Sequence, residues 1–157
     1  MTKMDIKYFH PTVRNIDFMQ KLVAQEVIDG IILHRSDDEI ATTIRSYICV
    51  EVNNELAGFV ALHIHSKNLA EVRSLVINKN FRGLGLGKGL VLKCLEEAKR
   101  LNIKEVLSLT YQNKFFEKLG FNEIDKETIP EHKIWADCVK CKHFPVCNEI
   151  ALTISIL

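Results

Sequence analysis

The sequence predicts a mixed α/β fold in which strands and helices contribute to one sheet. Two strand-like segments, 47–52 and 56–64, flank the turn dipeptide Asn53-Asn54, which is typical of a hairpin. A third strand-like segment is followed by a glycine-rich stretch and then by a segment with helical spacing of its apolar residues. An early hairpin together with later strand–helix alternation predicts antiparallel pairing first and crossover connections afterwards.

The first third of the chain predicts one strand and two helices. Pro11 ends the strand, Gly30 ends the first helix, and Ser36 followed by Glu39 is the capping-box signature at the start of the second helix. In order, we expect a strand over 6–9, a helix from Asn15 or Asp17 to Ile28, and a helix from Ser36 through Ser46.

The remainder predicts a hairpin, a long amphipathic helix and a short second helix between strands. Gly120 is well placed as the C-cap of that short helix. In order, we expect strands over 47–52, 56–64 and 69–77, a helix over 87–101, a strand over 106–109, a helix over 113–119, and strands over 121–124 and 149–156. Residues 130–148 look irregular, and the whole chain, 1–157, is predicted to be a single domain.

Composition narrows the classes of function. The 157 residues carry 21 basic and 20 acidic side chains, a formal net charge of +1, which does not suit a surface that coats nucleic acid or anionic lipid. Neither a transmembrane segment nor a secretory signal is recognisable, so a cytoplasmic location is expected. Five cysteines, an odd number, argue against a disulfide framework.

The glycine-rich stretch is the strongest local signal. It lies between a strand and a helix and reads Phe81-Arg82-Gly83-Leu84-Gly85-Leu86-Gly87-Lys88. Glycines let a backbone turn sharply and aim several N–H groups at one point, and the helix that follows adds its positive end. Because two cationic side chains flank the loop, we expect it to bind an anion such as a pyrophosphate.

Two common phosphate-binding loops do not match this stretch. A Rossmann loop needs G-x-G-x-x-G, whereas Gly83, Gly85, Gly87 and Gly89 are each two residues apart. A nucleoside-triphosphate P-loop needs Ser or Thr after its lysine, but Gly89 follows Lys88 here. A plain tight turn remains the simplest alternative.

The loop resembles the acetyl-CoA signature of the GNAT superfamily, Q/R-x-x-G-x-G/A, with Arg82 as its first residue and Gly87 as its last. A second motif, Phe115-Phe116-Glu117-Lys118-Leu119-Gly120-Phe121, is similar to that family's late helix and turn. The order of predicted elements also resembles the family's fold over nearly the whole chain. The resemblance therefore implies a mostly antiparallel sheet with splayed middle strands, flanked by helices.

By this resemblance the strand before the loop holds the cofactor's pantetheine arm and polarises its thioester carbonyl through backbone N–H groups. The residues that the resemblance places at acetyl-CoA are Leu75, Val76, Ile77, Arg82, Gly83, Leu84, Gly85, Leu86, Gly87, Lys88 and Phe116. The amine acceptor attacks the carbonyl directly, so no covalent acetyl-enzyme is expected.

Two residues are candidates for moving protons. Glu71 is the candidate base that deprotonates the amine, through a water molecule; its simplest alternative is a surface pair with Arg73. Many relatives protonate the leaving thiolate with a tyrosine where this chain has Phe116, which cannot donate. Tyr111 is the candidate replacement, and packing at a strand end is its alternative role.

The short bacterial amino-acid N-acetyltransferases that acetylate glutamate are the most similar subgroup. The shared segments are Leu33-His34-Arg35-Ser36, Glu71-Val72-Arg73-Ser74-Leu75-Val76, Leu109-Thr110-Tyr111 and Ile134-Trp135-Ala136-Asp137-Cys138. The resemblance implies that Arg35 and Arg73 bind substrate carboxylates, with Ser74 as a hydrogen-bond partner. Aspartate, another small amine or a protein N-terminus are alternative acceptors, and a non-catalytic acetyl-CoA sensor is the alternative from another class. A homodimer is compatible with this group.

A cysteine cluster lies in the irregular segment. Cys138, Cys141 and Cys147, with His132, offer four ligands of the kind that hold zinc tetrahedrally, but the usual second C-x-x-C or H-x-H pair is missing. Reduced structural thiols are the alternative. Cys49 and Cys94 lie in a predicted strand and helix, so both are expected to be buried apolar side chains.

Overall fold

The computed structural model describes residues 4–128 and 149–156, which form one sheet with helices on both of its faces. The strands are β1 (Ile6–Phe9), β2 (Tyr47–Val52), β3 (Glu55–Ile64), β4 (Leu69–Ile77), β5 (Glu105–Thr110), β6 (Asn122–Ile124) and β7 (Ile150–Ser155). The helices are α1 (Ile16–Ile28), α2 (Asp37–Thr42), α3 (Leu86–Arg100) and α4 (Asn113–Lys118). The predicted order of helices and strands is confirmed.

The seven strands run in the order β1-β2-β3-β4-β5-β7-β6. The pairing of β4 with β5 is parallel, and the other neighbouring pairs in the described sheet are antiparallel. The mixed, mostly antiparallel sheet is thus confirmed. The chain returns through α3 between β4 and β5, which supplies the crossover that a parallel pair requires.

Each face of the sheet has its own apolar core. On one face the apolar side of α3, with Leu90, Val91 and Cys94, packs on alternate residues of the central strands. On the other face, Met19 of α1 and Ile40 of α2 pack on the strand residues whose side chains point away from α3. Cys94 and Cys49 are buried in the two cores, as predicted, and burial raises the pKa of each thiol to about 12.

The second helix is shorter than expected. The capping box between Ser36 and Glu39 is present, but α2 ends at Thr42 rather than continuing through Ser46, and a 3₁₀ turn follows over Ile44–Ser46. The hydroxyl of Thr43 donates to the carbonyl oxygen of Glu39 at 2.6 Å, so a side chain competes for the backbone groups that would continue the helix. Among the described residues, no helix combines the length and apolarity needed to span a membrane.

Candidate active site

The sheet opens between its two parallel strands. The pairing of β4 with β5 covers only Leu69–Val72 opposite Glu105–Ser108, although β5 continues to Thr110 and β4 to Ile77. Beyond the last paired residues the two strands are no longer hydrogen-bonded to each other, and the opening between them is termed the cleft. The splayed middle strands predicted from the sequence are therefore present.

A β-bulge lies in β4 at the start of this cleft. Arg73 is opposite Ala61 and Val76 is opposite Phe59, so two residues of β4 face one residue of β3. Ser74, in the bulge, has a positive φ of 59°, a conformation that is uncommon for residues other than glycine. The predicted substrate contact Ser74 thus lies where the backbone of β4 changes direction.

The bulge reverses which side chains face which core. Val72 packs in the α3-side core before the bulge, whereas Leu75 and Ile77 pack there after it, and Val76 is buried in the opposite core. Leu75, Val76 and Ile77 form the part of β4 that borders the cleft, where the sequence predicts backbone contacts to a thioester. Their N–H contacts to a ligand stay a prediction.

The glycine-rich loop lies between a 3₁₀ turn over Lys79–Phe81 and the first residue of α3. Gly83 and Gly85 have positive φ values of 84° and 75°. Among the described residues, no heavy atom lies within 4 Å of the position that a Cβ would take on either glycine. A ligand therefore has room to approach the loop backbone closely.

Charge at this loop is favourable for an anion. Arg82 and Lys88 are exposed, and the lysine lies in the first turn of α3, whose N–H groups form the positive end of a 15-residue helix. Leu86 is buried and anchors the helix start in the core, while Leu84 is 38% exposed. The arrangement suits a pyrophosphate, and binding of one at this loop stays a prediction.

Phe116 is buried, as are Val76 and Leu86 among the predicted cofactor residues. It is 4% exposed and packs edge-on between the rings of Phe115 and Phe121, with centroid distances of 5.1 and 5.2 Å. The aromatic ring that lies against the start of α3 is that of Phe115, whose Cζ would be 3.5 Å from a Cβ on Gly87. Contact of Phe116 with a cofactor stays a prediction, and the structure places Phe115 closer to the loop.

The candidate base Glu71 is a buried residue, not part of a surface pair. Its side chain is 2% exposed, and its Oε1 lies 2.9 Å from Nε2 of His65, which is equally buried. The ring of His63, directly across the sheet from Glu71, contacts the ring of His65 at a centroid distance of 4.7 Å. The sequence analysis missed both histidines; their i, i+2 spacing along a hairpin opposite Glu71 was the available signal.

The two candidate carboxylate-binding arginines both act electrostatically on Tyr47, a residue that the sequence analysis also missed. Tyr47 on β2 and Arg73 on β4 both pair with Ala61 of the intervening strand β3. Their side chains therefore share one face of the sheet, with only the small side chain of Ala61 between them. Burial raises the pKa of the Tyr47 hydroxyl, whereas the positive charges of Arg35 and Arg73 act to lower it. Both guanidinium groups are therefore close enough to influence one hydroxyl.

Arg35 follows α1 in a loop that α1 itself holds. Gln20 donates from Nε2 to the carbonyl oxygen of Arg35 at 2.8 Å and to Oδ1 of Asp37 at 3.1 Å. The capping box at Ser36 fixes the next residue. The backbone around Arg35 is thus bonded on both sides of the arginine, which limits where its side chain can reach.

The remaining predicted site residues lie at the cleft or outside the described chain. Tyr111 directly follows β5 at the open end of the cleft and is 37% exposed. Cys138, Cys141, Cys147 and His132 lie outside the described residues. Within 4–128 and 149–156 there is no group of three metal-ligating side chains, so nothing in that part of the chain supports zinc.

Comparison with known proteins gives a consistent result. The profile of the "Acetyltransferase (GNAT) family" matches residues 14–121. An uncharacterized N-acetyltransferase of Chlorobaculum tepidum is 36% identical over 124 residues, which are 79% of this chain and 79% of that protein. An amino-acid acetyltransferase of Aeromonas salmonicida is 28% identical over 121 residues, 76% of this chain but only 27% of that enzyme.

A solved structure resembles the fold closely. It is the N-acetylglutamate synthase of Neisseria gonorrhoeae complexed with coenzyme A and N-acetyl-glutamate, which superimposes with a TM-score of 0.87 at 18% identity. The superposition covers 99% of this chain and 36% of the synthase. The chain therefore spans about a third of that synthase and about a quarter of the Aeromonas enzyme.

Proposed function

Because the chain belongs to the GNAT family of acetyltransferases, we propose that it transfers the acetyl group of acetyl-CoA to the α-amine of an acidic amino acid, L-glutamate. The observation that carries the choice of acceptor is that the charges of Arg35 and Arg73 both act on Tyr47, with Arg73 on β4 directly after its last residue paired with β5. The names of the Aeromonas relative and of the Neisseria structure support this choice.

The donor site in this proposal is the glycine-rich loop with the adjoining cleft. The N–H groups at the start of α3 bind the pyrophosphate of acetyl-CoA, assisted by Arg82 and Lys88. The pantetheine arm enters the cleft, where β4 has no β5 residue opposite it beyond Val72. Its thioester oxygen accepts hydrogen bonds from the backbone of Leu75–Ile77, which stabilise the negative charge that develops during the reaction.

The acceptor site uses two arginines because glutamate has two carboxylates. A guanidinium group binds a carboxylate with two parallel hydrogen bonds, and two such pairs fix both ends of the substrate. The charges of both arginines act on Tyr47, and burial, which raises the pKa of its hydroxyl, keeps that hydroxyl protonated at neutral pH. This arrangement favours a small amino acid with two carboxylates over a peptide N-terminus. The α-carboxyl group of an N-terminal residue is part of a peptide bond, so it cannot bind an arginine as a free carboxylate does.

The reaction needs a proton to leave the acceptor before attack and a second one to leave it afterwards. The ammonium group of the acceptor loses a proton to Glu71 through a water molecule, and the free amine nitrogen then forms a bond to the thioester carbonyl carbon. The C–S bond breaks, and the leaving thiolate takes a proton from Tyr111 at the open end of the cleft. The nitrogen, now bonded to the acetyl carbon, gives up its second proton to water, and Tyr111 regains a proton from water. The products are an N-acetylated amino acid and CoA, with no covalent acetyl-enzyme.

The test measures thiol release from acetyl-CoA with a panel of amines: glutamate, aspartate, glutamine and a peptide. We expect turnover with glutamate, and we expect Arg35→Ala and Arg73→Ala each to raise its KM about 10–100-fold, the effect of losing a hydrogen bond between charged groups. Arg100→Ala is the matched control, because Arg100 is exposed and bound to Glu97 at the far end of α3.

Two other results would contradict the proposal in different ways. Turnover with an amine that lacks a second carboxylate, unaffected by the arginine variants, would refute the acidic acceptor and leave the acetyltransferase reaction intact. Binding of CoA without turnover of any amine would instead favour a CoA-responsive binding module.

A further inference from the structure

His65 forms a buried contact with Glu71, but the proposed reaction assigns a role only to Glu71. Nε2 of His65 is 2.9 Å from Oε1 of Glu71, and both side chains are 2% exposed. His65 lies just beyond the end of β3, in the turn that leads into β4, so the contact joins the turn to the strand. The backbone N–H of His65 donates to the carbonyl oxygen of Leu69, which holds the turn in place.

The contact lies at the floor of the cleft. Glu71 is opposite Leu107 of β5, and only one further pair, Val72 with Ser108, precedes the point where the pairing of the two strands ends. The charged or titratable groups that the described strands place around Glu71 are His63 and His65 on the β3 side and Arg73 two residues along β4. On the β5 side the neighbour is apolar Leu107.

A carboxylate with this little exposure is unstable unless hydrogen bonds replace the water that it has lost. An N–H donor at 2.9 Å supplies such a bond and favours the ionised form, which is the form that a base requires. An imidazole ring can donate from Nε2 to a carboxylate oxygen. The ring of His63, packed edge-on against that of His65, restricts rotation of the donor ring.

We propose that His65 is a positioning residue for acetyl transfer: its Nε2–H holds one oxygen of Glu71, keeps the carboxylate ionised, and directs the proton of the acceptor amine to the other oxygen. This inference rests on the proposed function, in which Glu71 is the base. The proton balance is simple. The ammonium loses one proton through water, Glu71 becomes a neutral carboxylic acid, and His65 keeps its own proton throughout before Glu71 returns the proton to solvent.

Three variants separate a hydrogen-bonding role from a structural one. His65→Gln retains an N–H donor at similar reach but cannot ionise, whereas His65→Leu removes the donor and fills similar space. Glu71→Gln removes the base. Lys67→Gln is the control, because Lys67 has an exposed side chain in the same turn between β3 and β4 as His65.

The readout is the pH profile of kcat and kcat/KM for the amine that the wild type uses best. We expect His65→Leu to lower kcat about tenfold or more. We also expect it to move the acidic limb of the profile to higher pH by about one unit, because the carboxyl group of Glu71 then stays protonated up to a higher pH. We expect His65→Gln to retain most of kcat and the wild-type limb, and Glu71→Gln to lose the limb. An unshifted limb in His65→Leu, or equal loss in both His65 variants, would overturn the proposal.

A second measurement does not depend on turnover. Carbon-13 NMR of protein labelled at the glutamate carboxyl carbons, with Glu71→Gln to assign the signal, reports directly whether Glu71 is ionised at each pH. We expect ionisation to need a higher pH in His65→Leu than in the wild type or His65→Gln. If the wild type turns over no amine, the proposed function fails, and this titration still decides the role of His65; identical titrations in all His65 variants would refute it.

Discussion

Gly58 of β3 lies directly opposite Ile77 of β4, and the two strands approach too closely there for any side chain to fit between them. A Cβ on Gly58 would be 2.6 Å from Cδ1 of Ile77 and 2.7 Å from the carbonyl oxygen of Val76. Ile77 in turn packs towards Gly87 in the first turn of α3. The close approach therefore sets the end of β4 against the start of α3, where the anion site is predicted.

We expect Gly58→Ala to lower the free energy of unfolding by about 1–3 kcal/mol, because a methyl group must displace backbone as well as a side chain. Urea unfolding followed by circular dichroism measures this. Gly87→Ala is the control: its Cβ would meet Phe115 at 3.5 Å, an ordinary contact, and alanine is the better helix former by about 0.5–1 kcal/mol. A Gly58→Ala protein as stable as the wild type would show that β4 can move.

The bounds of most helices and strands follow from local patterns in the sequence. β1, β2 and β4 have the predicted bounds, because β-branched and aromatic residues bordered by turn residues mark a strand without reference to its partners. The insertion of β7 between β5 and β6 depends on contacts between distant segments, for which a local pattern carries no signal. The early end of α2 depends on one hydroxyl, that of Thr43, which bonds back to the helix.

The same distinction applies to the site. The glycine-rich loop could be recognised because its glycines and cations are consecutive, and the two of them that have positive φ, Gly83 and Gly85, fall within the motif. The bulge at Ser74 could not, because it arises from the register between β3 and β4, and serine gives no sign of a left-handed backbone. Tyr47 and His65 reach the site across the sheet or through a turn, so only the assembled strands bring them next to Arg73 and Glu71.

We expect Gly85→Ala to weaken binding of CoA and to destabilise the fold by about 1–2 kcal/mol, because an alanine at φ 75° strains the residue that caps α3. Gly85→Asn is the matched comparison, since asparagine tolerates the left-handed conformation and is a good N-cap. Calorimetric titration with CoA and urea unfolding of both variants measure the effects. Equal losses in the two variants would mean that side-chain bulk, not backbone strain, is responsible.

The two buried thiols predict a loss of stability at alkaline pH. Burial raises the pKa of Cys49 and Cys94 from 9.0 to about 12, so between these values the folded state retains protons that the unfolded state has released. Stability from each thiol is complete below about pH 9 and falls as pH rises towards 12, on the order of 1 kcal/mol per unit. Urea unfolding at pH 8 and 10.5 measures the slope.

Cys49→Ala and Cys94→Ala serve as the comparison for this pH dependence. Each lacks one thiol, so the difference in slope from the wild type isolates that group from the lysines and tyrosines that titrate in the same range. We expect both variants to show a shallower decline. An unchanged slope would indicate that the thiols ionise in the folded protein as readily as in the unfolded chain.

Tyr111→Phe tests the proton donor to the leaving thiolate. We expect kcat to fall by about 10²-fold with little change in the KM for acetyl-CoA, since the hydroxyl acts only as the C–S bond breaks. Tyr8→Phe is the control, because its hydroxyl packs over Gly89 of α3 rather than following β5, and its pKa is raised by burial. If Tyr111→Phe keeps wild-type kcat, Tyr111 is a packing residue and solvent protonates the thiolate.

Gln20→Glu tests whether α1 positions the carboxylate-binding loop. Gln20 donates to the carbonyl oxygen of Arg35 and to Oδ1 of Asp37; a glutamate there loses both donors and places a second negative charge beside the aspartate. We expect the KM for glutamate to rise about tenfold, with kcat nearly unchanged because the reacting groups are untouched. The double variant Gln20→Glu with Asp37→Asn should recover part of this loss, since the asparagine amide can donate to the new carboxylate. A KM that stays at the wild-type value in Gln20→Glu would show that the capping box at Ser36 is sufficient to hold Arg35.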